Sequence, residues 1–256
     1  MRPDQFSDGS AGDTDYGQAG IDYARYRQPD PAIANQIVTA LGDARTVLNV
    51  GAGAGSYEPR DREVTAVEPS ATMRAQRPPG LPEAIDAVAE RLPFPDHSFV
   101  AAMAISTVHQ WPDLPAGIRE LVRVTRGPIA ILTSDPAALH RYWLAEYLPE
   151  VLDIEARRMP AIDTIASLLG GDIRNVPIPL TCTDGFGEAY YGRPEMLLDP
   201  GAQRAISSWS FLRPEANARF THHLTADLTS GAWDRKYGHL RTQPTFDGAL
   251  RLIVRP

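Results

Sequence analysis

The segment TVLNVGAGAGS (46–56) constrains this chain more than any other. An aliphatic run leads without a spacer into three glycines at alternate positions, Gly51, Gly53 and Gly55. A strand ending in such a loop brings main chain close to a ligand at the carboxyl edge of a sheet, because glycine has no Cβ to hold the ligand off. The loop is expected to run into a helix whose first amides face the ligand's polar groups. The runs that follow, EVTAVE (63–68), AIDAVA (84–89), SFVAAMAIS (98–106) and PIAILTS (128–134), are separated by helical or turn segments. Between the last two, Leu114, Ile118, Leu121 and Val122 share one helical face. Five alternating units predict an α/β fold with a doubly wound, Rossmann-like parallel sheet.

The flanking segments extend this pattern. Asp30-Pro31 opens a predicted helix with Ile33, Ile37, Val38 and Leu41 at helical spacing, and Gly42 ends it. After Asp135 the spacing predicts helices over 139–156 and 160–169 and a strand over 175–183, where Pro177 and Pro179 favour a sheet edge. Residues 186–240 read as a mostly helical insertion before a last strand, ALRLIVRP, introduced by an Asp247-Gly248 turn.

Spacing separates three nucleotide readings of the glycine loop. A phosphate-cradling P-loop needs Gly-Lys-Ser/Thr, and here Ser56-Tyr57-Glu58 follows, so no lysine is present. A dinucleotide fingerprint starting at Gly51 needs a glycine at 56, where Ser56 stands. The observed G-x-G-x-G spacing favours S-adenosylmethionine over NAD. Glu68 ends the second strand beside the loop, where its two oxygens suit a ribose diol. A solvated strand-end glutamate is the plain alternative, and NAD enzymes share the acid.

The stretches VLNVGAGAGSYEP, VTAVEPSATMRAQ and AVAERLPFPDHSFVAAMAISTVHQWPDL, in this order, resemble class I methyltransferases of the methyltransferase-11 type. From residue 139 onward the likeness is to actinobacterial small-molecule members. The resemblance implies S-adenosylmethionine as donor and S-adenosylhomocysteine as product. It implies that backbone at Gly51, Ala52 and Gly53 meets the methionine part, Glu68 the ribose, Pro69 and Met73 the adenine face, and Ala89 and Glu90 the adenine edge. Tyr23 and Arg27, in YARYRQPDP (23–31), match an element that closes over the cofactor carboxylate; a packed Tyr and an exposed Arg are the alternative. Two positions depart from the family: Asn49 stands where an acid is usual, and Val88 where an aspartate often meets the adenine amino group, a task Glu90 is placed to take over.

The fourth strand ends in STVHQW, which brings Ser106 to the cofactor and His109 and Trp111 to the acceptor. His109 is the candidate base, since an ordinary imidazole titrates near neutral pH; orienting the acceptor is the other reading. Relatives commonly carry His-His-Trp, so Gln110 leaves one ionisable group here. Tyr142, Trp143, Tyr190, Tyr191 and Trp209 are candidate walls for a small aromatic or hydrophobic acceptor, a secondary metabolite, although their spacing also suits core packing. A catalytically silent S-adenosylmethionine-binding module and an NAD(P)-dependent oxidoreductase are the competing functions.

Composition narrows the rest. The 256 residues are 43% apolar and 22% charged, as in an ordinary globular protein with one large core. A net charge of −7 and no Lys/Arg run longer than two argue against a nucleic-acid partner. Lys236 is the only lysine, which reads as coding bias. The lone Cys182 fits a reducing cytoplasm and offers no zinc site, and His222 and His223, as helix neighbours, point apart, so no metal is expected. No secretory signal and no apolar run near 18 residues is seen, so a cytoplasmic protein with no membrane contact is expected, as monomer or homodimer. Residues 1–15 lack apolar periodicity and are expected to be disordered unless they close over a ligand. Residues 16–256 read as one domain, with a cofactor-binding core over 16–135, acceptor-shaping elements over 136–245 and the last strand over 246–256.

Overall fold

A computed structural model describes residues 12–14 and 23–256. Its strands are β1 (Thr46–Val50), β2 (Glu63–Val67), β3 (Ala84–Ile85), β4 (Ala101–Ile105), β5 (Ile129–Ser134), β6 (Asp172–Asn175), β7 (Ile178–Pro179), β8 (Thr245–Phe246) and β9 (Leu250–Arg255). Seven of them form one sheet in the order β3-β2-β1-β4-β5-β9-β6, while β7 and β8 pair separately. The first five pair parallel; β9 runs antiparallel to both β5 and β6. The strand order reverses between β1 and β4, which opens a crevice at their carboxyl ends.

Each central strand is apolar on both faces because both are covered. Val47, Met103, Ala130 and Leu132 face one core with Ile33 and Ile37 of helix α1 (Pro31–Leu41) and the aromatic residues of the C-terminal half. Leu48, Ala102, Ala104 and Ile131 face the other, against Ile118 and Leu121 of α2 (Leu114–Val124) and Ile165 of α3 (Ile162–Leu169). The Asp30 carboxylate caps α1 by accepting from the Ala32 and Ile33 amides at 2.9 and 3.3 Å, a contact of about 1 kcal/mol.

Four expectations are corrected. The glycine loop does not enter a helix: residues 53–57 form turns, and only seven residues, Ser56–Arg62 with Pro59 among them, separate Gly55 from β2. The third strand pairs only over Ala84–Ile85 at the sheet edge, and 86–89 continue as loop. The predicted strand over 175–183 is divided, its start belonging to β6 and its Pro179 end to the separate pair β7-β8. The helix expected over 139–156 is three pieces, Leu139–Arg141, Leu144–Tyr147 and Pro149–Arg158, since Pro149 cannot continue the piece before it.

Candidate functional site

The crevice at the switch point holds a cavity of about 360 Å³, a size usual for a small-molecule site. The glycine loop forms its floor. Gly51 and Gly53 have φ of +69° and +51°, and a Cβ on Gly51 would lie 2.0 Å from Thr107 Oγ1. Both the conformation and the space therefore require glycine at 51. The Gly51 and Ala52 amides donate to the Val67 carbonyl at 2.9 Å, which ties the loop to β2.

Glu68 joins the loop to the next element. Its Oε2 accepts from the Gly53 amide and its Oε1 from the Ser70 amide, both at 2.8 Å. Each oxygen keeps a further acceptor direction, so the carboxylate can hold a diol while tied to the backbone. Burial raises the Glu68 carboxyl above the usual carboxylate range, opposed by those two amides and by Arg74 and Arg77. Pro69, Met73 and Ala89 make the wall apolar beside it. Glu90 lines the same end and accepts from the Asp113 amide at 3.2 Å. Trp111 is also here, packed so closely on α2 that a Cβ at Gly117 would come within 2.5 Å of its ring. It therefore belongs to the larger cavity, not to a separate acceptor wall as expected.

The opposite end of the cavity is polar. Asn49, at the end of β1, donates through Nδ2 to Glu58 Oε1 at 3.0 Å, and Glu58 forms a buried ion pair with Arg77 at 2.8 Å. Asn49 Oδ1 is buried with no hydrogen-bond partner among the described residues. Arg27 pairs through Nε with the carboxylate of Asp184, which also accepts from the Tyr57 hydroxyl at 3.0 Å. Arg27, Asp184, Tyr57 and Asn49 all line the cavity. The backbone of Tyr23 lies in the turn Tyr23–Tyr26, and its side chain falls outside the described residues.

A smaller chamber of about 60 Å³ adjoins this end, with Arg27, Ser106 and Asp184 lining both spaces. His109, Glu155, Ser134 and Ser207 give it polar walls, and Met159, Phe186, Ile206 and Leu250 apolar ones. Ser106 sits where β4 gives way to the turn Val108–Gln110, at φ +54°, and that bend turns His109 into the chamber. Burial, reinforced by the Arg158 guanidinium and opposed by Asp13, pushes the His109 imidazole down to about 3, and its Nδ1 has no partner among the described residues. A ring so reluctant to take a proton is neutral near pH 7 and accepts a hydrogen bond better than it stores a proton. Burial likewise raises the Glu155 carboxyl, against the Ser208 hydroxyl and two arginines.

The five aromatic residues offered as acceptor walls line neither space. Tyr142, Trp143, Tyr191 and Trp209 are buried in the core of the C-terminal half, and Tyr190 borders a shallow groove beside Arg193. Their polar atoms are spent on structure: Trp143 Nε1 donates to the Tyr191 carbonyl at 2.9 Å, and Trp209 Nε1 to Asn217 at 3.1 Å. Sequence reasoning missed Tyr57, Glu155 and Asp184. Asp184 carries no local motif, and only the tertiary fold brings it 157 positions back to Arg27. Residues 12–14, expected to be disordered, lie against the body: Asp13 and Thr14 bond Arg158 at 2.7 to 2.9 Å and Gln110 at 3.1 to 3.3 Å. Among the described residues no cluster of His, Cys, Asp and Glu could hold a metal ion, and no helix is long and apolar enough to cross a membrane.

This fold, with a glycine loop and a ribose-suited acid at its switch point, defines a nucleotide-binding α/β protein. The sequence profile described as "Methyltransferase domain" matches residues 48–128. A solved structure of a putative methyltransferase from an antibiotic biosynthesis pathway of Anabaena variabilis is 30% identical, covers 90% of this chain and 99% of its own, and superposes with a TM-score of 0.84. A geranyl diphosphate methyltransferase, solved with GPP and sinefungin, shares the fold at 16% identity, 87% and 76% coverage and a TM-score of 0.50. No curated protein matches the chain. The chain belongs to the class I S-adenosylmethionine-dependent methyltransferases. Its cofactor is S-adenosylmethionine, and a methyl acceptor is its second ligand.

Proposed function

We propose that this protein transfers a methyl group from S-adenosylmethionine to a small-molecule acceptor whose reacting end is polar. The observation that carries the reading is the wall shared between the larger cavity and the chamber, at Arg27, Ser106 and Asp184. A displacement at a methyl carbon needs donor and acceptor in line in a dry site, which two adjoining spaces supply. The cofactor contributes an electrophilic methyl on a sulfonium; the protein contributes position.

In this reading Gly51, Ala52 and Gly53 offer close backbone to the methionine part. Glu68 takes the ribose hydroxyls with its remaining acceptor directions, Pro69, Met73 and Ala89 enclose the adenine, and Glu90 meets its edge. Ser106 lies at the junction. His109 orients the acceptor by accepting a hydrogen bond from its N–H or O–H, in place of acting as the general base. A chamber of about 60 Å³ takes only a few heavy atoms, an amine or hydroxyl and its carrier carbon, packed against Met159, Phe186 and Ile206. The cofactor core and the C-terminal acceptor-shaping part then divide the work within one domain. The Anabaena relative, described as part of an antibiotic pathway, supports an acceptor from secondary metabolism.

The test is transfer of labelled methyl from S-adenosylmethionine to paired panels of small amines, hydroxyl compounds and apolar molecules without either group, with protein and RNA fractions as controls. Label on an amine or hydroxyl compound is expected. Label confined to protein or RNA overturns the small-molecule reading, and no label in any fraction favours a silent binding module.

A further inference from the structure

Two acceptors at the polar end of the larger cavity have unused capacity. The Asn49 amide is fixed in orientation, because Glu58 is an acceptor-only carboxylate and takes its Nδ2 hydrogen at 3.0 Å. Its Oδ1 is left buried with no hydrogen-bond partner among the described residues, a costly state for a carbonyl unless a ligand meets it. Asp184, 3% exposed, accepts from Arg27 on both oxygens and from Tyr57 on one. A carboxylate has about four acceptor directions, so one remains. Both residues line one cavity, and Asp184 comes from outside the stretch 48–128 that matches the methyltransferase profile.

We infer that Asn49 and Asp184 together form the receptor for the α-ammonium group of the cofactor's amino-acid end. This rests on the donor reading given above and adds an acidic residue to it that lies outside the nucleotide-binding half. The charges require this order. Arg27 beside Asp184 would repel a lone cation, but an α-amino acid brings its own carboxylate for Arg27. The four charges then alternate, guanidinium, carboxylate, ammonium and carboxylate, with every neighbour opposite in sign. Asn49 Oδ1 supplies a second acceptor to the three hydrogens of the ammonium, and Tyr57 keeps Asp184 in place from the floor of the cavity.

Calorimetric titration of wild type and Asp184→Asn with three ligands tests the assignment. S-adenosylhomocysteine carries ammonium and carboxylate, decarboxylated S-adenosylmethionine only the ammonium, and 5′-methylthioadenosine neither. The substitution is expected to weaken the first two about ten- to a hundredfold and to leave 5′-methylthioadenosine within about twofold. Retained binding of 5′-methylthioadenosine also reports a folded site. An equal loss for all three ligands makes Asp184 a scaffold residue and overturns the inference, as does no loss for any. If Asp184→Asn does not fold, Asn49→Ala is expected to show the same selectivity with a smaller loss, and an unselective effect there overturns the inference too. Wild type that binds none of the three overturns the donor reading itself.

Discussion

His109 shows how one residue's chemistry depends on what surrounds it. As a free side chain it is a base suited to neutral pH; in its chamber burial and Arg158 push it down to about 3. The sign of the resulting pH effect is fixed. The unfolded imidazole protonates near 6.5 and the folded one does not until about 3, so His109 costs stability progressively as pH falls through that window. Thermal melts of wild type and His109→Gln should therefore run parallel above pH 6.5 and diverge below it, the wild type losing more. Melts that stay parallel down to pH 4 would contradict the buried, neutral ring. Among the other site residues, Glu68 and the glycines were legible because they lie on a strand-loop-strand segment whose spacing is local. Asp184, Tyr57 and Glu155 were not, because their roles arise from contacts across more than a hundred positions or from burial that no local pattern encodes.

At the scale of elements, the strands β1, β2, β4 and β5 read directly from sequence because parallel strands covered on both faces are short continuous apolar runs. The antiparallel insertion of β9 between β5 and β6 was not readable, since its run looks like any other buried strand and its partners are far away in sequence. The structure shows what fixes its start. Glu188, in the turn Gly187–Tyr190, accepts from the Ala249 amide with both oxygens, at 3.0 and 2.8 Å, just ahead of β9. Burial, opposed by that amide, pushes the Glu188 carboxyl up to about 8. The unfolded carboxyl ionises near 4.5, so folding takes up a proton between those values and the stabilising effect of the raised value is lost as pH rises through the window. Glu188→Gln retains an acceptor for Ala249 without the titration. The variant should gain stability relative to wild type steadily from about pH 4.5 to about pH 8 and no further beyond, as measured by denaturant unfolding at a series of pH values; a difference independent of pH would remove the buried proton from the account. The aromatic residues teach the opposite lesson. Spacing of three and four fits a pocket wall and a core equally, and here Trp143 packs edge-on against Trp233 while Tyr191 stacks on Phe246.

Over the whole molecule, both halves of the chain contribute to the site. The nucleotide-binding half provides the glycine loop, Glu68 and Asn49, and the C-terminal half provides Asp184, Glu155 and Ser207, so the cavity and chamber exist only when both are folded together. We assign the switch-point cavity to an adenosyl amino acid and not to a dinucleotide. Thermal unfolding with S-adenosylhomocysteine and, separately, with NAD⁺ distinguishes the two. At a hundred times its Kd, a ligand that binds only the native state adds about 2.7 kcal/mol, which for a chain of this size raises Tm by about 5 to 10 °C. That rise is expected with S-adenosylhomocysteine and none with NAD⁺. A rise with NAD⁺ and none with S-adenosylhomocysteine would contradict the assignment.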